Sequence, residues 1–152
     1  MNIQQQASNI QASRVDYKKI TNRIPQRYPF LFVDKIIELS KEKSVCIKNV
    51  SLTDPYLVGH FPDDPVFPGV LLVEACAQAG GLMVSEHEEY NKRGYIAMLN
   101  NFKFIDFIVP GDTIVITCEL LNLFGKFVKV SAEARVDGAL VGKGIITYNF
   151  EK

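Results

Sequence analysis

The 152-residue sequence predicts an α+β fold, a curved antiparallel sheet wrapped round one long buried central helix. Three observations predict it. Residues 69 to about 88 hold no proline and are apolar on most sides. Five or six other segments carry strand patterning. There is no second long helix to share the covering of a sheet. A helix that is apolar nearly all round needs burial on most faces, and a sheet curling about it supplies that burial.

The elements follow in order. Residues 1–13 are Gln-rich without an apolar period and read as a mobile tail. That leaves 14–152 as a single domain. Asp16 is placed to cap a short helix whose apolar face is Tyr17, Ile20 and Ile24. Pro25 and Pro29 make residues 24–29 a loop. Residues 30–39 read as a strand, 40–44 as a polar turn and 45–50 as a second strand. Residues 51–68 contain Pro55, Pro62, Pro65 and Pro68, which leave little room for helix or ladder. The long helix then opens at Gly69. Its one non-apolar stripe is Glu74, Ala77, Gln78, Gly81 and Ser85 at helical spacing. Residues 95–104 form a strand, and Pro110, Gly111 and Asp112 a turn. Ile114, Ile116, Cys118 and Leu120 alternate along 113–121. Val128, Val130, Ala132, Ala134 and Val136 alternate inward along 126–136, and Asp137-Gly138 marks a hairpin into 139–150. A curved sheet round one such helix is the hot dog arrangement.

Composition narrows the classes. With 17 basic and 17 acidic residues the formal net charge is zero, which disfavours a dedicated nucleic-acid binder. The apolar fraction of 47% excludes a disordered chain. Residues 1–35 hold six basic and two acidic side chains, a local charge of +4, so the remainder sums to −4. A solvated tail or a surface for an acidic partner would both explain it. There is no secretory h-region near the N-terminus and no apolar run of about 18 residues, so neither a signal peptide nor a membrane span is expected. Cys46, Cys76 and Cys118 fit no zinc spacing and read as buried free thiols in a reducing cytoplasm.

Two residues stand out for chemistry. His60 lies in Gly59-His60-Phe61-Pro62, and a histidine titrating near neutrality can be a general base or simply a hydrogen-bonded structural residue. His87, at the polar helix end, reads as a solvated surface residue. Glu74 is the one acidic or basic side chain between Asp64 and Glu86. Buried, its carboxyl would hold a proton and act as an acid; on a solvent stripe it would do neither. Ala77 and Gly81 on the same stripe also suit close approach by another chain. Gly69 at the helix start offers an unpartnered N–H to an approaching carbonyl. A base, a buried acid and an amide donor together match removal of water from a 3-hydroxyacyl thioester.

Three blocks carry a family resemblance: Ile24-Pro25-Gln26-Arg27-Tyr28-Pro29-Phe30-Leu31-Phe32-Val33-Asp34, the run from Gly59-His60-Phe61-Pro62 through Pro68-Gly69-Val70 to Glu74-Ala75, and Ala77-Gln78, with Pro110-Gly111-Asp112 beyond. Over roughly residues 20–150 the chain resembles the (3R)-hydroxyacyl-[acyl-carrier-protein] dehydratases of type II fatty acid synthesis, the FabZ type. The resemblance implies the hot dog fold, no cofactor and no metal, and acyl carrier protein as the partner bearing the substrate. It implies a homodimer, often assembled as a trimer of dimers. It makes His60 and Glu74 the catalytic pair, contributed by two different subunits. Gly69 N–H matches the group that binds the thioester carbonyl, Gln78 a support beside the glutamate, and Tyr95 a tyrosine at the tunnel mouth. Two departures stand out. Gln26 replaces a histidine, and Phe104-Ile105-Asp106-Phe107 stands where the family usually shows arginines. Lys92, Arg93, Lys103 or the basic N-terminal segment would then have to meet the carrier. Related dehydratase/isomerases carry aspartate at position 74, so glutamate favours the dehydratase alone. A dehydratase/isomerase and a non-catalytic acyl-binding hot dog protein are the alternatives.

Overall fold

The computed structural model describes residues 17–151. A short helix, α1 (17–21), leads through the proline loop to strands β1 (Lys35–Leu39) and β2 (Lys43–Asn49). A 3-10 turn at Pro55–Val58 precedes the central helix α2 (Gly69–Val84). Strands β3 (Gly94–Phe104), β4 (Thr113–Phe124), β5 (Phe127–Val136) and β6 (Ala139–Phe150) complete the chain. All six strands form one antiparallel sheet in the order β1-β2-β4-β5-β6-β3. This is the expected hot dog architecture.

Helix α2 is buried because the sheet wraps it. It packs on β2, β4, β5 and β3. Leu72, Ala75, Cys76, Ala79, Leu82 and Met83 meet a floor that includes Ile114, Ile116, Cys118, Val128, Val130, Ala132 and Ile146, and all of these are buried. The alternations read along β4 and β5 therefore point the expected side chains inward. All three cysteines are free and buried, and burial pushes the Cys46 and Cys76 thiols up to about 12. At Gly80 the sheet comes so close that a Cβ would strike the Tyr148 hydroxyl. That hydroxyl donates to Ala77 O at 2.7 Å, tying β6 to the helix.

Several expectations are corrected. Residues 30–34 are not strand; the first strand starts at Lys35. The β-prone run 30–33 is held instead by a helix side chain. Phe32 N donates to Gln78 Oε1 at 2.8 Å, and Gln78 Nε2 donates to Phe30 O at 2.8 Å. Helix α2 stops at Val84 rather than near Glu88, because Ser85 Oγ donates to Leu82 O and buried Tyr90 turns the chain inward. His87 is buried, not solvated; its Nε2 bonds Lys41 O at 2.8 Å. Ile20 and Ile24 are buried as the face of α1, but Tyr17 is exposed. The expected tail over residues 1–13 and the Asp16 cap lie outside the described residues. None of the described helices is long and apolar enough to cross a membrane.

Candidate active site

Glu74 projects from the second turn of α2 into a groove of about 550 Å³. Gln78, Tyr95, Lys92, Arg93 and the loop 23–26 share its lining. The polar stripe read from the sequence is thus roofed in part by the chain itself: Ala77 and Gln78 are buried, and Ile24 Cγ2 stands 3.7 Å from where a Cβ on Gly81 would lie. Burial raises the Glu74 pKa, while the hydrogen bond from Gln78 lowers it. The net direction is upward, so the protonated form persists to higher pH than in an exposed glutamate.

Gln78 explains how that carboxyl is held. Its Nε2 spends one hydrogen on Phe30 O and the other on Glu74 Oε1, at 2.9 Å. Its Oε1 accepts from Phe32 N. With its own backbone anchors made, the amide cannot swing away from Glu74. An acceptor role at Oε1 leaves Oε2 as the oxygen that carries the proton when Glu74 is neutral.

His60 follows the 3-10 turn; its N–H donates to Leu57 O at 3.3 Å, and Leu57 is buried. Val66 N donates back to His60 O at 2.8 Å. The imidazole Nδ1 lies 2.7 Å from Val66 O. A carbonyl oxygen can only accept, so Nδ1 carries the hydrogen and the neutral ring keeps its lone pair on Nε2. The ring stacks on Phe61 with centroids 4.3 Å apart. These bonds place His60 beside Val66, three residues before Gly69.

Gly69 is the first residue of α2, where backbone N–H groups have no partner within the helix. A Cβ there would meet the Phe104 ring at 3.1 Å. Tyr95 is 50% exposed and donates to Glu151 Oε1 at 2.7 Å on the groove wall. A single copy of the chain therefore brings Glu74, Gln78 and Tyr95 together. His60 and Gly69 do not line that groove.

Part of the basic N-terminal segment serves the fold. Arg27 donates to Thr21 O, Ile24 O and Gln26 O, closing the end of α1, and Arg23 pairs with Glu86 at 2.9 Å. The sequence reading missed the pairing of a buried lysine, Lys48, with the more exposed Asp34 and Asp54. Its signal was present: a lysine at the inward phase of β2, after Ser44 and Cys46.

A sheet curled round a buried helix, with a shielded carboxyl on that helix, defines a hot dog protein equipped for acid–base chemistry. Residues 24–144 match the FabA-like domain family. The 3-hydroxyacyl-[acyl-carrier-protein] dehydratase FabZ of Streptococcus agalactiae serotype V is 42% identical over 135 residues, 88% of this chain and 96% of the relative. That of Streptococcus equi subsp. zooepidemicus is 42% identical over 137 residues, 90% and 98% of the two chains. In fold, the chain is similar to a solved chain of the dehydratase heterocomplex ApeI:P from Xenorhabdus doucetiae, with TM-score 0.75, 21% identity and 88% and 91% of the chains covered. It is also similar to a hypothetical thioesterase from Streptococcus pneumoniae, with TM-score 0.64, 13% identity and 89% and 93% covered. The chain belongs to the FabZ family of 3-hydroxyacyl-[acyl-carrier-protein] dehydratases.

Proposed function

We propose that this enzyme dehydrates (3R)-hydroxyacyl chains borne on acyl carrier protein to trans-2-enoyl chains, in cytoplasmic fatty acid synthesis. His60 Nε2 removes a proton from C2. The electron pair passes toward the thioester carbonyl, whose growing negative charge is met by the Gly69 N–H. It then returns to form the C2=C3 double bond as the C3–O bond breaks. Glu74 gives its proton to the departing hydroxyl, which leaves as water. Transfer of the proton from His60 back to Glu74 resets the site. Each of these groups acts only where it is held in reach of the reacting atoms.

The observation that carries the reading is the shielded Glu74 carboxyl, raised in pKa and fixed by Gln78 on the wall of an open groove. His60 does not line that groove, which supports a site completed by a second copy of the chain. Strand β3 supports the same assembly. It is an edge strand of 11 residues, with Tyr95, Ile96, Met98 and Leu99 exposed. A long apolar edge is an invitation to pair, and pairing across a two-fold axis would join two sheets. Three such dimers would make the expected trimer of dimers. Lys92 and Arg93, on the groove wall beside Tyr95, suit contact with an acidic carrier.

The test is turnover of a (3R)-hydroxyacyl carrier substrate, followed by enoyl formation. Wild type is expected to form trans-2-enoyl product without a cis-3 isomer, and His60→Ala and Glu74→Gln to lose about 10²–10⁴-fold in rate. Undiminished rates in either variant would overturn the assignment of roles.

A further inference from the structure

Lys48 lies on the inward face of β2, and its side chain is only 7% exposed. A buried ammonium is tolerated only when paired, and this one is paired twice. Its Nζ stands 3.7 Å from Asp34 Oδ2 and 3.6 Å from Asp54 Oδ2, and it donates to Asn49 O. Each carboxylate is then fixed by neighbours. Asp34 Oδ2 accepts from Asn49 N at 2.7 Å. Asp54 Oδ2 accepts from Ser51 N at 3.0 Å and from Tyr56 OH at 2.9 Å.

The two aspartates lie on different segments. Asp34 closes the stretch whose residues Phe30 and Phe32 bond Gln78. Asp54 opens the 3-10 turn that ends at Val58, and Leu57 of that turn receives the His60 N–H. Tyr56 packs edge-on against Phe32 on one side and Phe67 on the other, at 5.7 and 5.6 Å. Without the ammonium, two carboxylates within 4 Å of one point would repel, and the 51–60 connection would lose its anchor.

We propose that Lys48 is a positioning residue for His60: by clamping Asp34 to Asp54 it sets the path of residues 51–60 and so the aim of the imidazole. The proposal rests on His60 being the base. Lys48 touches no substrate in this scheme; it acts through the loop. A shift of about 1 Å in a catalytic group can cost on the order of 10²-fold in rate.

Two variants and two readouts test it. Lys48→Met removes the clamp. Asp54→Asn weakens it gently, because Lys48 and Asp34 stay paired and the amide oxygen still accepts from Ser51 N and Tyr56 OH; it decides the matter should Lys48→Met not fold. The chain has only two histidines, so ¹⁵N-histidine labelling gives one Nδ1/Nε2 pair of signals for each of two rings, assigned with His87→Gln. In wild type His60 is expected in the single tautomer with hydrogen on Nδ1. In the variants that signal moves toward a mixture while His87 stays fixed, and kcat falls about 10- to 100-fold for Lys48→Met with KM changed much less. Folded variants with wild-type kcat and an unmoved His60 signal would overturn the proposal. If instead His60→Ala retains full turnover, His60 is not the base. The ring signal still reports whether Lys48 positions it.

Discussion

The side-chain amide of Gln78 donates to Glu74 Oε1 at 2.9 Å, one turn away on the central helix. The same nitrogen holds Phe30 O, and the amide oxygen holds Phe32 N. The support of the acid and the anchoring of the N-terminal segment are therefore one residue's work. Gln78→Leu would leave Phe30 O and Phe32 N without their partner. A loss of about 2–4 kcal/mol in urea unfolding is expected, about 1–3 kcal/mol for the buried Phe32 N and about 1 kcal/mol for the part-buried Phe30 O. The bond from Gln78 also lowers the Glu74 pKa. Its removal is expected to move the alkaline limb of the rate profile to higher pH in whatever folded protein is recovered.

Glu74 must be protonated to act as an acid. Rate is therefore expected to fall as pH rises through its raised pKa, and Glu74→Gln to abolish that limb with the activity. A profile flat through the alkaline limb would contradict this.

The same carboxyl sets a stability trend. Its folded pKa lies above its unfolded value, so its stabilising contribution is complete below the unfolded carboxyl range and is lost as pH rises through the folded pKa. Glu74→Gln has no charge to bury. Its Tm is expected to exceed that of wild type at mildly alkaline pH, with the gap closing in acid. A gap independent of pH would point to a cause other than titration of this carboxyl.

Gly80 and Tyr148 share one space. In Gly80→Ala the new methyl meets the Tyr148 hydroxyl, and a cost of about 1–3 kcal/mol is expected. Tyr148→Phe removes that hydroxyl but also the side-chain hydrogen bond that Ala77 O accepts beyond its helical one. The double variant is expected to lose less than the sum of the two, measured by chemical denaturation. Strict additivity would contradict the shared contact.

The sequence revealed most clearly what periodicity controls. Helix α2 is apolar on nearly every side because the sheet encloses it, and β4 and β5 alternate because one face of each is buried. Residues 30–34 looked like strand since Phe30, Phe32 and Val33 favour one. What holds them is Gln78, 46 and 48 positions beyond Phe32 and Phe30, and no local pattern encodes such a bond. His87 looked solvated amid glutamates, yet the turn after Val84 carries it inward to Lys41 O. Glu74 and Gln78 were visible as a pair through their four-residue spacing. Which groove each candidate enters was not visible, since that depends on the packing of distant segments. The Lys48 cluster was hidden because Asp34 and Asp54 meet only through the fold.

The central claim is that His60 and Glu74 of different subunits serve one site, and subunit complementation tests it most directly. His60→Ala and Glu74→Gln proteins are each expected to be nearly inactive. Unfolded together and refolded as a mixture, half of the dimers pair the two variants, and each mixed dimer holds one intact site of its two. About a quarter of wild-type activity is then expected to return. A mixture as inactive as its components, with mixed dimers demonstrably formed, would contradict the account.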